Sequence, residues 1–133
     1  MADILIVEDD PSVASILVML LEMEGHRTRT AANGLEGLQR LQDKSPDLTI
    51  SDIEMPILDG PSMCNRMLIE DHGLEKIPVI LISGFPELDR LAEEVGTPYF
   101  TSKPFAIDAL LNLVNRALRE RASPVPFEQR QRA

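Results

Sequence analysis

Five short runs of apolar and β-branched residues recur along the chain and predict five β-strands. Most are rich in Ile, Leu and Val, and Pro, Gly or acidic residues bound them. Runs of this length and composition are typical of strands in a sheet that is covered on both faces. The predicted strands are Asp3–Val7, Arg27–Ala31, Leu48–Ser51 with Asp52 at its end, Pro78–Ser83 and Tyr99–Ser102.

Between these runs, apolar residues recur with helical spacing and predict one amphipathic helix after each strand. Pro11 suits the first turn of the first helix, Asp10 is its expected cap, and Gly25 its expected end. The third and fourth helices are expected at about Pro61–Asp71 and Leu88–Val95. The apolar residues that mark these helices are Val13, Ile16, Leu17, Leu20, Leu21, Leu35, Leu38, Leu41, Met63, Met67, Leu68, Ile107, Leu110, Leu111, Val114 and Leu118. Of these, Met63, Met67 and Leu68 are expected to face inward.

Strands and helices that alternate in this way predict one α/β domain with a parallel sheet between two helical layers. Because the connections between parallel strands are almost always right-handed, only a few strand orders are possible. For five βα units we expect a flavodoxin-like, doubly wound (βα)5 sandwich with strand order 2-1-3-4-5. The domain is expected to cover residues 1–120. Residues 121–133 lack apolar periodicity and contain Ser123, Pro124 and Pro126, so we expect a tail or linker there.

Composition narrows the class of partner. The 133 residues carry a net charge of −9, which disfavours direct nucleic-acid binding because that requires basic patches. The lone cysteine, Cys64, cannot form an internal disulfide, which favours a cytoplasmic protein. We expect no membrane association, since no apolar run reaches about 18 residues and the N-terminus lacks a signal-peptide pattern.

Polar side chains follow four of the five predicted strands. They are Glu8, Asp9 and Asp10 after the first strand, Asp52 after the third, Ser83 after the fourth and Lys103 after the fifth. Each alone could be a helix cap or a turn residue. Because the carboxyl ends of parallel strands meet at one edge of the sheet, where open α/β folds bind ligands, we expect these side chains to form one site.

The chemistry of these groups favours phosphoryl transfer. Clustered carboxylates repel one another unless a cation binds between them, and Mg²⁺ suits one or two carboxylates together with water and phosphoryl oxygens. Lys103 adds a fixed positive charge and Ser83 a hydroxyl donor, and such groups position and neutralise a phosphoryl group. Asp52 is the expected nucleophile, which would become an aspartyl phosphate.

Four motifs make the sequence resemble the receiver domains of two-component response regulators. They are ILIVEDD, PDLTISDIEMPILDG, PVILISG and FTSKPF, and the resemblance covers about residues 3–120. It implies a phosphorylation-dependent signalling switch in which Asp52 accepts a phosphoryl group from a histidine kinase or a histidine phosphotransfer protein. It also implies a regulatory domain, not an enzyme, although the domain would assist its own phosphorylation and dephosphorylation.

The resemblance implies a specific set of Mg²⁺ ligands. Asp9 and Asp52 would bind the ion directly, the backbone carbonyl of Glu54 would be a further ligand, and Glu8 would act through water. Asp10 matches a flanking position that is often acidic, and the resemblance assigns it no clear metal role.

The resemblance also implies how the signal leaves the site. Ser83 would be the switch hydroxyl and Lys103 the phosphoryl-binding lysine, followed by a cis bond to Pro104. The switch aromatic is Phe100, where the family often has tyrosine, and Tyr99 should face the other way because strand side chains alternate. The changing surface would comprise the fourth helix, fifth strand and fifth helix, through which a homodimer or an output partner would bind.

Two departures from the family pattern leave questions open. The interval between Ser83 and Lys103 is short for the family, which implies a trimmed fourth helix or following loop. No DNA-binding or enzymatic output domain follows in the sequence, so a stand-alone receiver and a piece of a longer regulator both remain open.

Two other classes of protein compete with this interpretation. A haloacid-dehalogenase-type phosphatase also uses a strand-end aspartate and Mg²⁺, and Asp52–Glu54 has the spacing of its nucleophile and general acid. Such an enzyme would give Glu8–Asp10 no role. A flavodoxin-type electron carrier would need its first loop to cradle a phosphate, which Glu8–Asp10 would repel.

Overall fold

Strands and helices alternate along the chain as predicted. The computed structural model describes residues 2–55, 58–70, 76–84 and 86–125, apart from the side chains of residues 67–70. The strands are β1 (Asp3–Val7), β2 (Arg27–Ala31), β3 (Leu48–Asp52), β4 (Val79–Ser83) and β5 (Tyr99–Ser102). The helices are α1 (Pro11–Met23), α2 (Gly34–Asp43), α3 (Gly60–Glu70), α4 (Leu88–Val95) and α5 (Ile107–Glu120). None of these helices, in the ranges described, is long and apolar enough to cross a membrane.

The five strands form one parallel sheet in the order β2-β1-β3-β4-β5, which confirms the predicted doubly wound fold. Strand pairing aligns the carboxyl ends of the strands: Val7 lies beside Ser51, and Ser83 lies beside Ser102. The chain segments that leave β1, β3, β4 and β5 therefore begin along one edge of the sheet. We call this the site edge.

The sheet separates two apolar cores, because successive strand side chains point to opposite faces. Beneath α2, α3 and α4 the buried residues include Leu5, Val7, Leu38, Leu41, Met63, Val79, Leu81, Leu88 and Ala92. Beneath α1 and α5 they include Ile4, Ile6, Leu17, Leu21, Ile50, Ile80, Ile82, Tyr99, Leu110 and Val114. The middle strands are buried on both faces, as their continuous apolar runs predicted.

Three of the apolar residues that mark the predicted helices are exposed. The exposed fractions are 46% for Ile16, 39% for Leu35 and 52% for Ile107. Leu35 and Ile107 lie in the first turns of their helices, and Ile16 borders the buried stripe of α1 without being part of it. The predictions for Met67 and Leu68 lie outside the described side chains.

Two glycines allow α2 to pack very close to the neighbouring parts of the domain. A Cβ on Gly37 would lie 3.1 Å from a methyl group of Val7 and 2.9 Å from the sulfur of Met63. A Cβ on Gly34 would lie 2.5 Å from the carbonyl oxygen of Leu58. The helix thus approaches its neighbours through glycines that an apolar count does not register, and the next residue, Leu35, remains at the surface.

After α5 the chain continues without regular secondary structure through Arg121–Val125, which we call the C-terminal strap. The backbone N–H of Val125 donates to the carbonyl of Gly96 (3.1 Å), and that of Ala122 donates to the hydroxyl of Tyr99 (3.4 Å). A Cβ on Gly96 would collide with the carbonyl oxygen of Val125. The strap therefore packs on the loop between α4 and β5, whereas residues 126–133 of the predicted tail lie outside the described residues.

Candidate functional site

Three carboxylates meet at the site edge. Glu8 and Asp9 directly follow β1, and Asp52 ends the neighbouring strand β3. One carboxylate oxygen of each lies within 4.8 Å of the others. Glu8 and Asp52 are buried, with exposed fractions of 3% and 7%, whereas Asp9 is exposed. The cluster thus has a buried wall and an open side, as the strand-end pattern predicted.

Lys103 joins the two buried carboxylates. Its Nζ donates to Oε1 of Glu8 and to Oδ2 of Asp52, at 2.9 Å in both cases. The backbone N–H of Lys103 donates to the carbonyl of Ser83 (2.8 Å), and the peptide bond to Pro104 is cis, as predicted. Burial lowers the pKa of the ammonium, but its hydrogen bonds to the two carboxylates outweigh that effect and raise it.

The backbone around Asp52 orients its side chain. Oδ1 accepts a hydrogen bond from the N–H of Ile53 (2.7 Å), and the N–H of Gly60 donates to the carbonyl of Ile53 (3.0 Å). A Cβ on Gly60 would collide with the carbonyl oxygen of Asp52. Nothing in the apolar pattern of the sequence revealed this close approach.

Glu8 is electrostatically strained without a further cation. Burial raises its pKa from 4.5 to about 7; the negative charge of Asp52 adds to this effect, and the hydrogen bond from Lys103 only partly opposes it. Its second oxygen, Oε2, is buried without a hydrogen-bond partner among the described residues. A buried carboxylate with an unpaired oxygen is unfavourable unless a cation or another donor reaches it.

Because Glu8 is buried unfavourably, replacing it should stabilise the fold by an amount that depends on pH. In metal-free protein at about pH 8, we expect Glu8→Gln to raise the free energy of unfolding by about 2 kcal/mol. Folded Glu8 keeps its proton up to about pH 7 and the unfolded chain releases it near 4.5, so wild-type stability falls across this window. Below pH 4.5 both states are protonated and the gain disappears. Denaturant unfolding in EDTA at several pH values measures it.

Glu94→Gln is the matched control for this prediction, because Glu94 is exposed on α4. The same removal of one charge there should leave the pH dependence of unfolding unchanged. A Glu8→Gln protein that is less stable than wild type at about pH 8 would contradict the inferred strain.

The groups predicted to relay the signal lie on β4 and β5, on the Lys103 side of the cluster. Ser83 is buried (2% exposed) at the end of β4, the strand next to β3. Tyr99 is fully buried, whereas Phe100 is 38% exposed, so the predicted alternation of these two side chains is confirmed. Phe100 borders a depression between α4 and β5.

Two further acidic residues occupy different positions. The side chain of Asp10 caps α1 by accepting from the N–H of Ser12 (2.9 Å), and Asp10 is not part of the carboxylate cluster. Glu54 is exposed and, with Asp9 and Asp59, lines a shallow opening at the site edge. Asp10 therefore performs the capping function predicted from the sequence, while Glu54 lies beside the open side of the cluster.

The donor set fits a hard divalent cation. Mg²⁺ prefers oxygen ligands and binds through one or two carboxylates while it retains water. Glu8, Asp9 and Asp52 offer carboxylate oxygens within 4.8 Å of one another, and the buried Oε2 of Glu8 has no partner among the described residues. A positive charge at this place would offset the burial and the repulsion by Asp52 that together raise the pKa of Glu8.

Fold and site together define a phosphoryl-accepting signalling domain of the two-component systems. The family model described as "Response regulator receiver domain" matches residues 4–115. The chain belongs to this family, so it is a phosphorylation-dependent switch of the His-Asp phosphorelay type. Domains of this family are regulatory phosphoacceptors that bind Mg²⁺ in an acidic pocket. The comparisons give the haloacid-dehalogenase alternative no support.

Individual proteins and structures similar to this chain support the family assignment. The chain is 36% identical to sporulation initiation phosphotransferase F of Bacillus subtilis over 86% of its own length and 92% of the relative. It is 30% identical to the DNA-binding regulator RpaA of Synechocystis, of which it spans 52%. It also superimposes on the receiver domain of a histidine kinase from Syntrophus aciditrophicus with a TM-score of 0.81 and 38% identity, covering 90% and 92% of the two chains. The chain therefore spans nearly all of one relative and about half of another.

Proposed function

We propose that Asp52 is the phosphoacceptor and that Glu8, Asp9, Ser83 and Lys103 serve its phosphorylation. The observation that carries this proposal is the position of Lys103, whose Nζ lies 2.9 Å from both Glu8 and Asp52. An ammonium group held this close to a strand-end carboxylate can also stabilise the negative charge on a phosphoryl group bound to that carboxylate.

In the proposed reaction, a carboxylate oxygen of Asp52 attacks the phosphorus of a phosphohistidine. The P–N bond breaks as the P–O bond forms, and the histidine nitrogen leaves with the bonding electron pair. The hydrogen bond from Ile53 to Oδ1 holds the carboxylate plane. Lys103 exchanges its bond to Asp52 for one to a phosphoryl oxygen, while Glu8 keeps the ammonium in place.

The proposed metal ligands are the carboxylates of Asp9 and Asp52 and the backbone carbonyl of Glu54, with Glu8 acting through water. Mg²⁺ bound there would neutralise charge on the carboxylates and on the transferred phosphoryl oxygens. The open side formed by Asp9 and Glu54 supports this assignment, because the donor has to approach from solvent. In this role the domain is a phosphoacceptor that assists its own phosphorylation and dephosphorylation, not a turnover enzyme.

The switch proposed for this chain runs from Ser83 to Phe100. The Ser83 hydroxyl moves to donate to the new phosphoryl oxygen, and the space that it leaves is filled by the phenyl ring turning inward. The 38% exposure of Phe100 corresponds to the outward packing. A phenyl ring has no hydroxyl to satisfy, so inward burial gains apolar area without a polar cost. The two packings are states whose populations phosphorylation shifts.

This role carries further expectations about partners and location. The donor is a histidine kinase or a histidine phosphotransfer protein, and α4, β5 and α5 form the face for a homodimer or an output partner. We place the receiver unit at residues 1–120, a C-terminal tail at residues 121–133 whose first part, Arg121–Val125, packs back on that unit, and the protein in the cytoplasm.

Phosphorylation by a small donor tests the proposed function. The 133-residue chain incubated with acetyl phosphate and Mg²⁺ should gain one phosphoryl group by intact-mass measurement. The gain should be absent in EDTA, because both the carboxylates and the transferred phosphoryl group need the cation. Equal labelling with and without Mg²⁺ would contradict the proposed metal site, and no labelling under any condition would contradict the function.

Amide hydrogen exchange tests the proposed switch. A beryllofluoride mimic of the phosphoryl group should change exchange in β5, around Phe100, and along α5. Ser83→Ala should still accept phosphate, yet show a smaller change at Phe100, because the hydroxyl that responds to the phosphoryl oxygen is missing. Changes confined to the loop after Asp52 would overturn the relay.

A further inference from the structure

The N-terminus of α2 contacts the loop between β3 and α3. This loop comprises residues 53–59, of which the structure describes 53–55 and 58–59. It includes Glu54, whose backbone carbonyl is a proposed metal ligand. The backbone N–H of Gly34, the first residue of α2, donates to the carbonyl of Leu58 at 2.8 Å. A helix that contributes no side chain to the carboxylate cluster therefore holds the loop beside it.

The first turn of α2 is built to make this contact. The first N–H groups of a helix have no acceptor within the helix. The side chain of Asn33 caps the helix by accepting from the N–H of Glu36 (2.9 Å). The N–H of Gly34 instead reaches outward to Leu58, and the positive end of the helix dipole favours a carbonyl oxygen there. The loop carbonyl thus takes the place of a second capping group.

The close approach requires a residue without a side chain. A Cβ on Gly34 would lie 2.5 Å from the carbonyl oxygen of Leu58 and 3.0 Å from that of Asp59. Both are backbone atoms, so a larger residue could not be accommodated by turning a side chain. The helix is seated on the core by Leu38 and Leu41, which are 2% and 1% exposed. The loop lies nearer the surface, so the loop would have to move.

The part of the loop that Gly34 contacts also borders the proposed metal site. Asp59 lines, together with Asp9 and Glu54, the shallow opening on the open side of the carboxylate cluster. Mg²⁺ demands nearly ideal octahedral geometry, so the placement of a carbonyl ligand on this loop matters. Groups that orient metal ligands without touching the metal commonly change its affinity by about tenfold or more.

We propose that Gly34 is a positioning residue for the Mg²⁺ site. It touches neither the metal nor the phosphoryl group, and it acts through Leu58 and Asp59 by setting how close the loop lies to α2. This inference rests on the proposed function, because it takes the backbone carbonyl of Glu54 as a ligand.

Replacing Gly34 by alanine tests this role. In calorimetric titration of the 133-residue chain without a phosphodonor, Gly34→Ala should raise the Mg²⁺ concentration at half-saturation about tenfold. The Mg²⁺ dependence of labelling by acetyl phosphate should shift by the same factor. At saturating Mg²⁺ the labelling rate should return to near the wild-type value, because Asp52 and Lys103 are unchanged. A loss of stability alone would not produce this recovery at an unchanged maximal rate.

Gly37→Ala is the matched control on the same helix. A Cβ on Gly37 would lie 2.9 Å from the sulfur of Met63 and 3.1 Å from a methyl group of Val7. These side-chain atoms can shift without moving the loop, so this variant should lose stability yet keep the wild-type affinity for Mg²⁺. Equal losses of affinity in the two variants would mean that any displacement of α2 weakens the site, which would overturn the role of Gly34.

A measurement on the wild type keeps the test independent of whether Gly34→Ala folds. In the isotope-labelled chain, Mg²⁺ should shift the amide resonance of Gly34 and the carbonyl resonance of Leu58 with the same midpoint as those of Asp9. The amide of Gly25, which follows the far end of α1, should not move and serves as the reference. Resonances of Gly34 and Leu58 that do not respond to Mg²⁺ would overturn the proposal.

The outcomes separate this inference from the proposed function. A wild-type chain that neither binds Mg²⁺ nor accepts a phosphoryl group would overturn both. A wild-type chain that does both, with a Gly34→Ala variant of unchanged Mg²⁺ affinity, would overturn the positioning role and leave the phosphorylation proposal intact.

Discussion

We expect the replacement of Asp52 by asparagine to abolish phosphoryl acceptance while the fold is retained. The variant keeps the size of the side chain and the acceptor for the N–H of Ile53, which lies 2.7 Å from Oδ1. It removes the anionic oxygen that lies 2.9 Å from Lys103, and with it the nucleophile. Intact-mass measurement with acetyl phosphate and Mg²⁺ should show no added phosphoryl group, against complete labelling of the wild type.

Asp10→Asn is the matched control for this prediction. Asp10 is another strand-end aspartate, but it caps α1 and lies outside the carboxylate cluster, and asparagine caps helices about as well as aspartate. This variant should be labelled like the wild type. Labelling of Asp52→Asn at the wild-type level would refute the assignment of the phosphoacceptor.

Replacing Lys103 by methionine should have the largest effect on stability among the single substitutions at the site. It leaves the buried carboxylates of Glu8 and Asp52 without the ammonium that bonds both at 2.9 Å. Removing one member of a buried ion pair costs about 3 kcal/mol, and we expect a loss of this size at about pH 8 without Mg²⁺. The loss should shrink below pH 7, where Glu8 takes up a proton. Denaturant unfolding measures both effects.

The same substitution should slow phosphorylation about a hundredfold, since it removes a cation that would stabilise the transferred group. Lys44→Met is the matched control. The Nζ of Lys44 lies 3.2 Å from Asp3, but its side chain is 62% exposed, and such pairs contribute less than about 1 kcal/mol. Equal losses of stability for the two variants would mean that Lys103 behaves as a surface lysine.

Much of the site edge was predictable because two regularities combine. Apolar runs locate strands, and parallel strands bring their carboxyl ends to one edge, so Glu8, Asp9, Asp52, Ser83 and Lys103 had to lie near one another. The continuous apolar runs also distinguished the middle strands from β2. The middle strands are buried on both faces, whereas β2 contains both polar and apolar residues and is partly exposed. The resemblance to receiver domains then supplied the roles that spacing alone cannot assign.

What the sequence did not reveal depends on distances between segments far apart in the chain. The close contact of α2 with the carbonyl oxygen of Leu58 depends on the absence of a Cβ at Gly34. The collision that excludes a Cβ from Gly60 involves the carbonyl of Asp52. The burial of Glu8 to 3%, which raises its pKa, likewise arises only when β1, β3 and β5 bring their ends together.

The C-terminal strap bears on how this receiver should be cut from, or joined to, other sequence. A shortened chain that stops at Glu120, where the helical pattern ends, would lose Ala122 as a donor to Tyr99 and Val125 as a donor to Gly96. Tyr99 is buried in the core beneath α5, so the loss would reach the inside of the domain. Expression boundaries, affinity tags and chimeric junctions therefore belong after Val125.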